Sequence, residues 1–150
     1  MDAIDIKLIR LLGKNADVTA TSLVPQLNLS VPAINKRIAK LKAEGIIQKT
    51  IILTDTKKVG KPITAYVLLV LKDFNLSDQL VKTVDKDPDI LECYAITGEY
   101  DFILKVCADS IDAVEDKLLY LKKKGISKSH TLFALRQHKF DPCVLPDELG

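Results

Sequence analysis

Residues 27–49 read LNLSVPAINKRIAKLKAEGIIQK, and their spacing predicts a helix with two unlike faces. Ser30 stands where an N-cap belongs, its hydroxyl placed to accept from an orphan N–H of the first turn. Val31, Ile34, Ile38 and Leu41 recur at helical spacing and form one apolar stripe. The opposite face carries Pro32, Ala33, Asn35, Lys36, Ala39 and Lys40. Small residues let a backbone approach a major groove, an amide pairs with an adenine edge, and Lys or Arg reaches guanine or phosphate. Gly45 ends the helix. Basic amphipathic helices are common on surfaces that bind nothing, so the flanking sequence has to decide.

Upstream, Ile4, Leu8, Leu11 and Leu12 mark a first helix with Lys7, Arg10 and Lys14 on its wet side. Leu23 and Leu27 mark a short second helix, opened by the capping residues Thr19–Ser22. Only a few residues, Leu27–Ser30, then lead into the third helix, as in a helix-turn-helix. Downstream, residues 46–55 (IIQKTIILTD) alternate apolar with polar or basic residues and break at Asp55–Lys58, which predicts a small hairpin. Three helices followed by a hairpin make a winged helix-turn-helix.

Charge divides the chain in the same place. Residues 1–61 hold eleven Lys and Arg against five Asp and Glu, whereas residues 62–150 hold eleven against fifteen. A chain of net charge +2 thus conceals a module of +6 and another of −4. The basic module suits a polyanion, although an acidic protein or an anionic membrane surface would satisfy it equally. No apolar run is long enough for a bilayer, and the opening MDAIDIK is unlike a secretory signal, so a cytoplasmic protein is expected. Cys93, Cys107 and Cys143 have irregular spacing; the first two read as buried free thiols, and no metal set or disulfide framework is expected. With no nucleophile–base pair and no Gly-rich phosphate loop, neither a catalytic residue nor a cofactor is expected, and His130 reads as a partly buried sheet residue.

In the second half, ITAYVLLVL (63–71) is too continuously apolar for a half-wet strand, so both its faces should be covered. Ser77 is placed to cap a helix holding Leu80, Val81 and Val84, with Leu76 stapled on Val81. ILECYAI and DFILKVCA read as strands joined by a turn at Gly98. Ser110 caps a helix with Ile111, Val114, Leu118 and Leu121 on one face, stopped at Gly125, and residues 126–137 form the last strand. The order βαββαβ is the ferredoxin-like plan, in which helices cover one sheet face. A sheet apolar on both sides predicts a second copy on the bare face, most simply as a two-fold dimer. The fold class is therefore α+β, with a winged helix-turn-helix at 1–61, a ferredoxin-like domain at 62–140 and a tail at 141–150.

The helix-turn-helix ending in LSVPAINKRIAKLKAEGII, a hinge near VGKP, and a βαββαβ module containing ITGEYDFILKV together resemble the Lrp/AsnC family of leucine-responsive, feast/famine regulators. The likeness runs from Asp2 to Lys139, with TGEYD followed by an aliphatic strand its most specific piece. It implies a transcription regulator that binds double-stranded DNA at a near-palindromic promoter site and responds to an amino acid. It also implies a homodimer, assembled further into a tetramer or octamer. Carried over, it assigns Ser30, Pro32, Ala33, Asn35, Lys36, Arg37, Lys40 and Lys49 to DNA. It assigns Thr97, Gly98, Glu99, Tyr100 and Asp101 to the effector, with Ser129 and Thr131 on the last strand nearby. The chain departs from the family at NADVT (15–19), where an acidic turn containing Gly and Arg is usual, and in its tail. Two other readings stay open: an effector-independent architectural DNA binder, and a winged module used for protein contact.

Overall fold

The structure, a computed structural model, describes residues 1–147. The chain divides into two compact units. One comprises Met1–Ile52 together with the C-terminal segment from Lys139, and the other Leu53–His138. The chain therefore passes between the units twice.

In the first unit, α1 spans Ala3–Lys14, α2 Ala20–Leu27 and α3 Val31–Ala43. Ser30 caps α3 by accepting from the Ala33 N–H, and Thr19 caps α2 by accepting from the Ser22 N–H. At the head of α1, Asp2 accepts from the Asp5 N–H while the Asp5 carboxylate accepts from the Asp2 N–H, a reciprocal capping box. Asn28, at φ 53°, makes the tight turn between α2 and α3, a left-handed position that Asn tolerates better than most side chains. Leu8, Ile9, Leu23, Leu27, Ile34 and Leu41 form the core, with Leu11, Leu12, Ile38 and the distant Leu145 packed around them.

The hairpin expected over residues 46–55 does not form. Among the described residues, none between 44 and 62 lies in a strand. The Asp55 carboxylate accepts from the Lys57 and Lys58 N–H groups, and Val59 N–H donates to Asp55 O, so the turn winds helically. A turn of that kind does not bring the chain back alongside residues 46–54. Ile51, Ile52 and Leu53 are left 57%, 86% and 59% exposed.

In the second unit, β1 (Ile63–Leu71), α4 (Ser77–Val84), β2 (Ile90–Ala95), β3 (Phe102–Ala108), α5 (Ile111–Lys123) and β4 (Ile126–Phe133) form an antiparallel sheet in the order β2-β3-β1-β4. Side chains alternate across it. Val67, Leu69 and Leu71 of β1 join Leu104 and Val106 of β3 in a core closed by Leu80, Val84 and Leu121 of the helices. The apolar run of β1 is thus covered on one face only, and Tyr66, Leu68 and Val70 on the other are exposed or half-buried.

Ser110 caps α5 as expected, accepting from the Ala113 N–H. Ser77 does not cap α4. It is the first helical residue, and the capping carboxylate is Asp73, which accepts from the Asn75 N–H at the head of a short 3-10 turn, Phe74–Leu76. Val81 is exposed, and Leu76 lies against Gly125 instead of stapling to it. β4 ends at Phe133, opposite Ala65, and not at 137 as expected; beyond it Ala134 N–H still donates to Thr64 O. Cys107 is buried and Cys93 half-buried, both as free thiols. Near the VGKP hinge, Lys61 pairs with Asp89 at 3.0 Å, and Lys117 joins Asp87 and Asp89 at 2.6 and 3.2 Å.

Gly125 and Gly98 both have positive φ, +109° and +107°. A Cβ at Gly98 meets open space, whereas one at Gly125 falls 2.5 Å from Leu76 Cδ1. Gly98→Ala should therefore cost only backbone strain, roughly 1–3 kcal/mol. Gly125→Ala should cost measurably more, and chemical denaturation of the two variants side by side checks the ranking.

Candidate nucleic-acid interface and effector turn

The polar face of α3 lies open. Pro32, Asn35, Lys36, Ala39, Lys40 and Ala43 are exposed or half-buried and fall on one side of the helix, opposite the buried Ile34 and Leu41. Ser30 is exposed at the cap, Ala33 lies beside it in the first turn, and Lys49 is exposed beyond the helix end. Lys40 has a long contact of 3.8 Å with Glu44. Lys36 and Lys49 form no ion pair among the described residues, which leaves two cationic ends for an outside anion.

Arg37 is placed differently from its neighbours. It points back to the head of α1, where its Nη1 donates to Asp2 Oδ2 at 2.8 Å and to Asp5 Oδ1 at 2.7 Å. Asp5 is the buried charged residue of this unit, its side chain only 4% exposed. Burial pushes the Asp5 carboxyl up, but the Asp2 N–H and the Arg37 guanidinium outweigh it and hold it below the ordinary carboxylate value. The Asp5 N–H and then Arg37 depress Asp2 likewise. Arg37 thus locks α3 to the capping box of α1. Helical spacing could not reveal this, but the pattern Asp2-x-x-Asp5 opening α1 was a readable signal.

In the second unit the TGEYD turn joins β2 to β3. Asp101 sits half-buried at its base: its N–H donates to Leu69 O, its Oδ2 accepts from the Leu71 N–H at 2.8 Å, and its carbonyl accepts from Ile96 N–H. These bonds carry the turn across the end of β1 to β4. There Lys128 Nζ meets Glu99 Oε1 at 2.7 Å and lies 5.1 Å from the Tyr100 ring centroid. The Tyr100 and His130 rings are 6.3 Å apart. Lys128 depresses the Glu99 carboxyl, and Glu99 raises Lys128 in return. Thr97 and Gly98 are exposed at the tip.

The turn therefore gathers Glu99 and Tyr100 with Lys128 and His130. Ser129 and Thr131 pair with Leu69 and Val67 and share the helix-covered face with them, while Lys128 and His130 pair with Val70 and Leu68 on the bare face. His130 is exposed, not partly buried as expected, because that face carries no helix. The β1–β4 register that decides this shifts at Val70/Leu71, and strand alternation alone does not reveal such a shift.

Residues 64–144 match the Lrp/AsnC ligand binding domain, and residues 1–48 match a winged helix-turn-helix DNA-binding domain. The chain is 29% identical to the HTH-type transcriptional regulator FL11 of Pyrococcus furiosus over 93% of its own length and 92% of that protein's. It is 32% identical to the glutamate uptake regulatory protein of Zymomonas mobilis, over 85% of this chain and 77% of that one. Among solved structures, a Neisseria meningitidis transcriptional regulator in complex with L-Met shares the fold with a TM-score of 0.91. It is 24% identical, over 96% of each chain. An open reader helix, a ferredoxin-like sheet and these matches together define a DNA-binding transcription regulator with a ligand-binding domain. The chain belongs to the Lrp/AsnC family. No helix among the described residues is long and apolar enough to cross a membrane.

The Arg37 clasp makes a prediction that separates it from its neighbour. Arg37→Ala strands the buried Asp5 carboxylate and should lower the thermal midpoint by several degrees at neutral pH, whereas Lys36→Ala should leave it nearly unchanged. Depressed carboxyls add stability that is present above their unfolded values and lost as pH falls through their folded ones. The deficit of Arg37→Ala against the parent should therefore shrink below about pH 4, as calorimetry across pH will show.

Proposed function

We propose that two copies of this chain, joined through the bare sheet face, present α3 to successive major grooves of a near-palindromic promoter site, and that a free amino acid bound at the Gly98 turn adjusts this binding. The observation that carries the reading is the open stripe Pro32, Asn35, Lys36, Lys40, whose cations are not consumed by the protein's core. Small residues and an amide set among cations suit base edges, with Ser30 and Ala33 at the helix start and Lys49 on the backbone. Arg37 contributes by fixing the angle of α3.

Pairing of the sheets is supported by the bare face itself. Tyr66, Tyr94 and Leu132 are 37%, 57% and 49% exposed there, around a Lys105–Glu92 pair at 3.0 Å. Exposed apolar side chains set about an internally neutralised ion pair suit a contact surface. The unpaired, exposed Ile51–Leu53 stretch supplies a further edge able to pair with its own copy. A two-fold pair would set half-sites about one helical turn apart, roughly 34–36 Å.

An amino acid presents an ammonium and a carboxylate side by side. Glu99 and Lys128 offer the complementary pair at one exposed turn, and Gly98 leaves backbone room above it. The L-Met complex of the Neisseria meningitidis relative supports that ligand class. Asp101 is already engaged by Leu71 N–H, so its part is to hold the turn, with Thr97 and Tyr100 as its walls and Ser129 and Thr131 behind it.

Electrophoretic mobility shift against the upstream region of its own gene tests the DNA reading. A retarded complex should form at low salt and weaken with a slope near −0.9 per neutralised phosphate, and absence of any complex at micromolar protein defeats the proposal. Lys36→Ala should weaken that complex while leaving the fold intact. A thermal-shift screen tests the effector: at a hundredfold excess over Kd the right amino acid adds about 2.7 kcal/mol. Lys128→Ala should abolish that shift and spare DNA binding. Leu132→Glu should convert the dimer to a monomer in light scattering.

A further inference from the structure

The C-terminal segment is attached to β4 of the ligand-binding sheet by way of residues 134–138, yet it packs with the helices of the DNA-binding unit. Three contacts hold it there. Leu145, half-buried, packs against the core of α1, α2 and α3. Arg10 Nη2 on α1 donates to Pro146 O at 2.8 Å. Gly13 in the last turn of α1 leaves a notch: a Cβ there falls 2.7 Å from Leu145 Cδ2 and 2.8 Å from Cys143 Sγ. Gly13 has no positive φ to require glycine, and glycine inside a helix is unfavourable relative to most residues. A Cβ alone would make only the ends of the Leu145 and Cys143 side chains shift, whereas a bulky side chain would fill the notch. By contrast, Val144 is exposed, pointing away from the notch that Cys143, Leu145 and Pro146 enter.

We propose that residues 143–146 form a strap that docks in the Gly13 notch of the same chain's α1 as a working part of the DNA-binding unit. The strap gives that unit a second covalent tie, independent of residues 52–62, to the strand carrying Lys128 and His130. The docking stands without the effector reading; the transmission of a ligand's effect along it rests on that reading.

The notch supplies its own test. A Cβ at position 13 lies 3.6 Å from Cys143 Cβ, within the range that a disulfide spans. In full-length Gly13→Cys, mild oxidation without DNA or amino acid should form an intrachain disulfide to Cys143, read by peptide mass mapping and absent when Cys143→Ser is added. Failure to form it, or its formation only between chains, overturns the proposal. Gly13→Leu provides a second reading by sign. In the parent it should lower the thermal midpoint, because it expels Leu145, whereas in a Leu145→Asp background, where the strap is already released, it should raise the midpoint by replacing a helical glycine. A rise in both backgrounds also overturns the proposal. If the disulfide forms and yet no amino acid alters DNA affinity in the oxidised or the reduced protein, the strap stands and the effector reading falls.

Discussion

A four-stranded sheet has two faces to satisfy, and α4 and α5 cover one. The strand β1 carries aliphatic or aromatic side chains to both. Full burial is achieved only on the helix side, by Val67, Leu69 and Leu71, while Tyr66 and Leu68 keep water contact that their chemistry does not favour. The proposed activity follows from that imbalance. In it the uncovered face takes a second copy, the pairing fixes a distance between two α3 helices, and the turn at Glu99 and Tyr100 lies at the end of the same face beside Lys128. Ligand site and pairing surface would thus share strands β1 and β4.

The first unit solves a different problem with polar chemistry. Three short helices bury few residues, and helices of this length have little stability of their own. The Asp2–Asp5 capping box satisfies backbone donors at the head of α1 and also forms the anionic seat for Arg37. One set of carboxylates thereby starts one helix and aims another. A cation on the reader helix is thereby engaged within the protein itself.

Much of this was legible in the chain. Apolar periodicity located α1, α2 and α3, Ser30 and Ser110 marked caps that the structure retains, and Gly98 and Gly125 marked turns where φ is positive. β1 was found at its observed limits because a run of β-branched and aliphatic residues ends abruptly on both sides. What stayed hidden depended on partners far away in sequence. Arg37 looks outward until α1 is laid beside α3. Lys128 and Ser129 cannot be told apart until a register shift at Val70 assigns their faces. The hairpin over 46–55 failed because local alternation specifies an extended chain but not a strand to pair with it.

The placement of Leu145 bears on how the protein is made. α1, α2 and α3 are closed by contacts between near neighbours and can collapse as soon as they are synthesised. Their last apolar contact, however, comes from a residue about a hundred positions after α3, with the whole sheet domain translated in between. A growing chain therefore carries a nearly finished reader whose flank at Gly13 stays uncovered until residues 143–146 have been made. Completion of the DNA-binding unit thus waits until the sheet domain has been synthesised.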